Sequence, residues 1–325
     1  MSARSFLAFS LLLCPAAALA GDSLLYFEGQ AVGGYSSARE AAVWHSMSAA
    51  EPMQKSSAGF DLLRKFSGGS GDLGTLALQG RLAWDPDAPD RLEPQLYNAY
   101  YRSRTPYAYL WAGHARAAAG LESYFDTHGA LLQTLPMYGY GFDRDWGLGA
   151  SRDTAWGGAA LSLTTGSGMR LSAPGTYAVS GRVFGGVLAS DNYTVGAYAA
   201  AGRTQGIAGY RVTDPEVKPY SAAGADCALL WDRWELRADL RAGTARGARY
   251  LAGLGRLGLN LLDENRLKLE AQAVYSGTAR MEGWALAAGA SYALTPELSW
   301  RAMYERDAVM DDDRLVGQLY YYLPL

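Results

Sequence analysis

The sequence predicts an all-β chain, a transmembrane antiparallel up-and-down β-barrel of about 16 strands, with 14 as the alternative count. Three observations predict it. Segments of about ten residues alternate apolar and polar along nearly the whole chain, the period of a strand with one apolar face. The connectors between them alternate between tight, turn-rich gaps and long ones. After residue 20 no run of 18 apolar residues occurs, so any crossing of a bilayer is made by strands, which can span only as a closed barrel.

The chain begins "MSARSFLAFSLLLCPAAALA", with Arg4, an apolar stretch from Phe6 to Leu13 and a small-residue "ALA" ending at Ala20. This is the pattern of a secretory signal peptide over residues 1–20, cleaved before Gly21, which makes residues 21–325 the expected barrel. Cleavage leaves Cys227 as the one cysteine, so an intramolecular disulfide, a thiolate metal site and a haem-attachment motif are excluded. The net charge of −3 becomes one unit more negative when Arg4 is lost. Nucleic acid is therefore not an expected partner.

Strands are expected near 24–34, 57–66, 74–84, 92–102, 108–114, 146–151, 155–165, 177–188, 193–204, 220–231, 234–244, 250–261, 267–276, 283–293, 298–305 and 314–323. "TLALQGRLAW" sets Leu76, Leu78, Leu82 and Trp84 against Gln79 and Arg81. "WELRADLRAG" sets Trp234, Leu236, Ala238 and Leu240 against Glu235, Arg237, Asp239 and Arg241. "LSWRAMYE" sets Leu298, Trp300, Ala302 and Tyr304 against Ser299, Arg301 and Glu305. "GAYAAAGR" is patterned weakly, by small residues.

The even gaps, such as "SRTPY", "ASDN", "DR" and "LTPE", carry turn chemistry, whereas the odd gaps include the long ones, 35–56, 115–145, 166–176 and 205–219. Tight turns at one end and loops at the other match short periplasmic turns and longer extracellular loops, with both termini periplasmic. The apolar face then meets lipid, and the charged face lines a wet lumen. A soluble sandwich has the same alternation with apolar faces packed together. Aromatics tip the balance, because Trp146, Trp156, Tyr193, Trp231, Trp234, Tyr292 and Trp300 fall where strands meet the predicted periplasmic turns, as an interfacial girdle would. At the end of the chain, "RLVGQLYYYLPL" puts Gly317, Leu319, Tyr321, Leu323 and Leu325 on one face. It resembles the terminal strand read by Gram-negative barrel-assembly machinery, although it ends on Leu325 where an aromatic is usual.

With these features the chain resembles porin-type outer-membrane proteins of Gram-negative bacteria, over residues 21–325 as architecture. The segment "YLWAGHARAAAGLESYFDTHGALLQTLPMYGYGFDRDWGLGASRD" is similar to the strand, long loop and strand of sixteen-stranded general and phosphate-selective porins. The resemblance implies that residues 115–145 fold into the barrel and narrow it, with Arg116, Glu122, Asp126, His128, Asp143 and Arg144 setting the local field. It implies no phosphate specificity, since the arginine ladder of that group is not matched. Expected pore-lining residues are Arg81, Arg182, Asp226, Glu235, Arg237, Asp239, Arg241, Glu270 and Arg301, whose mixed signs predict weak ion selectivity.

The function that follows is passive diffusion of small hydrophilic solutes or ions, with no catalytic residue, cofactor or metal. The alternatives are a barrel that sheathes a periplasmic multihaem cytochrome or an export complex, and an outer-membrane hydrolase. For a hydrolase, only His45, His114 and His128 are available as a histidine base. The "MDDDR" aspartates, Asp311, Asp312 and Asp313, lack calcium-loop spacing and are expected to be solvated. Expected partners are outer-membrane lipid and lipopolysaccharide, the barrel-assembly machinery and, as further possibilities, a second copy of the chain or the cytochrome.

Overall fold

A computed structural model describes residues 22–46, 54–69, 71–86, 91–171, 175–278 and 282–325. The predicted signal peptide, residues 1–20, lies outside the described residues. Sixteen long strands form the barrel wall: β1 (Ser23–Ser36), β2 (Ser57–Gly68), β3 (Gly71–Trp84), β4 (Leu92–Arg104), β5 (Tyr109–Ala115), β6 (Asp145–Thr154), β7 (Gly157–Thr164), β8 (Tyr177–Gly185), β9 (Tyr193–Ala208), β10 (Arg211–Trp231), β11 (Trp234–Ala245), β12 (Ala248–Leu261), β13 (Leu267–Thr278), β14 (Glu282–Ala293), β15 (Leu298–Asp307) and β16 (Asp312–Pro324). A three-residue strand, Ala41–Val43, folds back on the end of β1. Each strand pairs antiparallel with the next, and β16 returns to β1 from Tyr26↔Pro324 to Ser36↔Arg314, which closes the barrel and leaves no free edge.

The expected alternation decides which face meets what. Leu82, Leu148, Leu161, Val183, Leu240, Leu286 and Leu315 are exposed on the outer face, while their neighbours Arg81, Asp239, Arg241 and Arg314 are buried inside. In water this arrangement would be backwards, and in lipid it follows from transfer energetics. Trp156, Tyr193, Trp231, Trp234 and Trp300 lie exposed at the short-turn end, with Tyr177 and Trp284 exposed toward the other. Trp146 departs from the expected girdle. It is the second residue of β6, at the long-loop end, and its ring packs 5.0 Å from that of the fully buried His114.

A second departure concerns residues 205–219, expected to be a loop. β9 runs to Ala208 and β10 restarts at Arg211, so the segment is a long hairpin closed by Gly209 and Tyr210. Register shifts between Thr204 and Ile207, with Pro215 and Pro219 opposite them, break the alternation that would have marked it. Of the aspartates of "MDDDR", Asp312 departs from the expected solvation, while Asp311 is exposed. Asp312 is buried, accepting from Ser36 Oγ at 2.7 Å and from Arg314 at 2.8 Å, and Asp313 accepts from Arg306 at 2.8 Å.

Candidate functional site

Residues 116–144 leave the end of β5, run through the barrel interior and return to β6. Two single turns of 3₁₀ helix, Leu121–Ser123 and Leu135–Tyr138, stiffen the path, the second opened by Pro136 and ended by Gly139 in the left-handed region. The loop is apolar where it packs and polar where it is tied. Leu121 and Leu135 pack on Tyr250, Ala252, Leu254 and Val274, while Leu131 and Leu132 pack on Val32, Met303 and Val316. Inward-facing aliphatics such as Leu254 and Val316, unusual in a wet lumen, thus find cover under the loop.

Its polar ties reach around much of the wall. Tyr124 donates to Asp226 at 2.9 Å and Tyr138 to Glu305 at 2.9 Å, while the Leu121 amide donates to Asp239 at 3.0 Å. His128 Nε2 meets Glu28 at 2.7 Å, and the guanidinium of Arg256 donates to the Gln133 carbonyl at 3.1 Å. Arg301 donates to the Gly129 carbonyl.

The centre of the arrangement is Arg241, 1% exposed. Its guanidinium donates to both oxygens of Glu122 at 2.9 and 2.8 Å, to Asp239 at 2.5 Å and to the Tyr140 carbonyl at 2.7 Å. Asp239 in turn accepts from the Tyr198 hydroxyl at 2.6 Å. Backbone approaches this cation so closely that two positions require glycine. A Cβ on Gly120 (φ 66°) would stand 2.3 Å from the guanidinium, and one on Gly141 (φ 97°) would stand 2.4 Å from it. The expectation that Arg241 lines open water is therefore corrected, because the loop covers it.

The remaining predicted pore residues face inward and are mostly paired. Arg182 grips Asp226 at 2.6 and 2.9 Å and lies 4.5 Å over the Tyr124 ring. Glu235 accepts from Arg237 at 2.5 Å and from Lys268 at 2.9 Å, and Arg237 lies 4.1 Å over Phe125. Glu270 faces Lys268 at 3.3 Å. Arg81 donates to Gln95 at 2.7 Å and Tyr97 at 2.5 Å, with Glu28 3.7 Å away. Arg301 donates to Gln318 at 3.3 Å and stacks 4.3 Å over Tyr320. Within the loop, Asp126 is held by Arg116 and by Arg144 at 3.1 Å, and Arg144 is also paired with Asp143.

Sequence reasoning missed Glu28, Arg256 and Arg314. Glu28 was visible in "YFEGQ", where Tyr26, Glu28 and Gln30 alternate with Phe27 and Gly29. Arg256 was hidden, since "LAGLGRLGLN" has leucine on both faces, Leu251 and Leu257 toward lipid and Leu254 toward the loop.

Partial desolvation raises the Asp126 carboxyl, but Arg144 and Arg116 outweigh it and hold the group well below its ordinary value of 3.8. A depressed acid stabilises the folded state above its unfolded value and loses that contribution as pH falls through the folded one. The clasp of Arg116, Asp126 and Arg144 is thus expected to hold at any pH above about 4 and to loosen only in stronger acid. Protease cleavage within residues 116–144, compared at pH 7 and pH 3 with an acid-active enzyme, checks this.

Space remains beside the loop. A cavity of about 480 Å³ lies between it and β1–β5, bordered by Tyr26, Asp61, Tyr100, Arg102, Arg116 and Asp126. Another of about 300 Å³ lies on the side of β12–β15, bordered by His128, Arg256, Lys268, Glu270 and Arg301.

No family model matches the chain, and no curated protein matches it in sequence. Solved structures match it in fold. A loop L8 deletion mutant of OmpT, an outer membrane protein of Vibrio cholerae, is 12% identical with a TM-score of 0.62, over 93% of this chain and 99% of that one. An anion-selective porin from Comamonas acidovorans is 9% identical with a TM-score of 0.65, over 94% and 100%. The outer membrane channel DcaP of Acinetobacter baumannii is 11% identical with a TM-score of 0.59, over 93% and 97%. At such identities the likeness is one of fold, the closed sixteen-stranded barrel of outer-membrane porins.

Proposed function

We propose that this outer-membrane barrel is a porin, through which small hydrophilic solutes and ions diffuse passively past a constriction formed by residues 116–144. The observation that carries this reading is the loop's position inside the lumen, tied to wall residues as far apart as Asp226, Asp239, Glu305 and Glu28, with polar cavities left beside it. A barrel of this strand number encloses an aqueous lumen unless something fills it, so the element inside it sets the size limit.

The same observation argues against a sheath, because the space a cytochrome or an export partner would thread is occupied by the chain's own loop. A hydrolase finds little support. His128 is engaged with Glu28, with no serine or cysteine hydrogen-bonded to its ring among the described residues. His114 is buried against Trp146.

The test is planar-bilayer conductance of the purified protein and of a variant lacking residues 121–137. The unmodified chain is expected to conduct potassium chloride with weak preference between ions, as paired charges of both signs dictate. The deletion is expected to raise single-channel conductance severalfold and to abolish the remaining preference. An intact, folded barrel that conducts nothing in either form would sink the reading.

A further inference from the structure

Four charged side chains border the 480 Å³ cavity between the inward loop and β1–β5: Asp61, Arg102, Arg116 and Asp126. The last two neutralise each other. The other two have no partner of opposite sign among the described residues. Asp61 accepts a hydrogen bond from the Tyr322 hydroxyl at 2.8 Å, and the Arg102 guanidinium rests 4.3 Å over the Tyr109 ring. A half-buried carboxylate and an exposed guanidinium, neither in an ion pair, thus border one open cavity, in a lumen whose other charges are mostly paired.

They do not pair because the wall keeps them apart. Asp61 on β2 stands in one row with Gln79 on β3 and Asn98 on β4. Arg102 lies four residues further along β4, about 13 Å down the strand and about 10 Å across from Asp61. The arginine side chain bridges part of that gap. What remains exceeds the span of one amino acid and suits an extended chain of two or three residues at about 3.5 Å each. Flat apolar surfaces flank the interval, with Tyr26 stacked on Tyr322 at 4.5 Å between ring centres, and Tyr100 and Trp111 opposite.

We infer that this cavity is a binding site for short zwitterionic peptides, with the terminal ammonium on Asp61 and the terminal carboxylate on Arg102. A guanidinium presents paired N–H groups that suit a carboxylate, and a free carboxylate accepts from an ammonium, so each end of the peptide meets the group that complements it. A lone cation or anion satisfies one end and leaves the other charge unpaired. The inference rests on the porin reading only for the access of solute to the lumen.

The experiment uses the full barrel in detergent, with saturation-transfer NMR of triglycine, N-acetyl-triglycine, triglycine amide and the doubly capped peptide, alongside potassium chloride conductance of the same preparation. Triglycine is expected to bind, and capping either end to weaken binding about tenfold. Asp61→Asn should erase the preference for a free amino end alone, Arg102→Gln the preference for a free carboxylate alone, and Asp61→Glu should retain both. Equal binding of all four peptides, or none by any, overturns the site even if the barrel conducts. Discrimination that follows Asp61 and Arg102 in a barrel that does not conduct sustains the site and overturns the porin reading instead.

Discussion

Arg241→Ala is expected to destabilise the barrel by about 3–5 kcal/mol, more than any other single change to a lumen charge. The reason lies in what it leaves behind. Glu122 and Asp239, both 1% exposed at their side chains, would face each other without the cation that holds them together. The Tyr140 carbonyl would lose its donor as well. Adding Glu122→Gln and Asp239→Asn to Arg241→Met should recover most of the loss, since removing every member of a buried ionic cluster costs far less than removing one. Urea refolding titrations of the three proteins, read by the heat-modifiable shift in gel mobility, measure both steps. A loss below about 1 kcal/mol in the single variant would mean that the loop is held elsewhere.

Leu240→Arg is expected to cost about 2–4 kcal/mol in a bilayer, although it lies next to Arg241 in sequence. Leu240 is 58% exposed on the outer face, paired with Ala225 and Gly253 on neighbouring strands, so the new charge would sit against acyl chains. The same change at Leu294, exposed at a short turn, should cost about 0–1 kcal/mol, because the penalty falls steeply toward the interface. Refolding into vesicles separates the depth effect from a general dislike of arginine. Equal losses at the two positions would refute the orientation of the outer face.

The strands were legible because their signal is local. A period of two, punctuated by "DR" or "LTPE", is written within a dozen residues, and the expected boundaries from β11 to β16 fall within two residues of those observed. The hairpin of residues 205–219 was not legible, since its register shifts and prolines erase the period where the strands continue. The position of the inward loop could be read from its length and its place in the order of gaps. The cover it places over Arg241 could not, because Gly120, Glu122 and Tyr140 stand about a hundred positions away in sequence. Trp146 was misassigned for a similar reason, its place at a strand end being apparent but not which end. Pairing of charges is likewise a property of the closed barrel, so Asp61 and Arg102 stand out only once their neighbours are known to be matched.

The reach of the inward loop also makes it a brace between parts of the wall that are remote in sequence. It joins Glu28 on β1 to His128 and Arg301 on β15 to Gly129, contacts 100 and 172 positions apart. The strands that carry these two partners are brought side by side by β16, which pairs with both. The loop thus ties across the seam where the first and last strands meet, through distant contacts whose loop-closure cost exceeds that of a local hairpin.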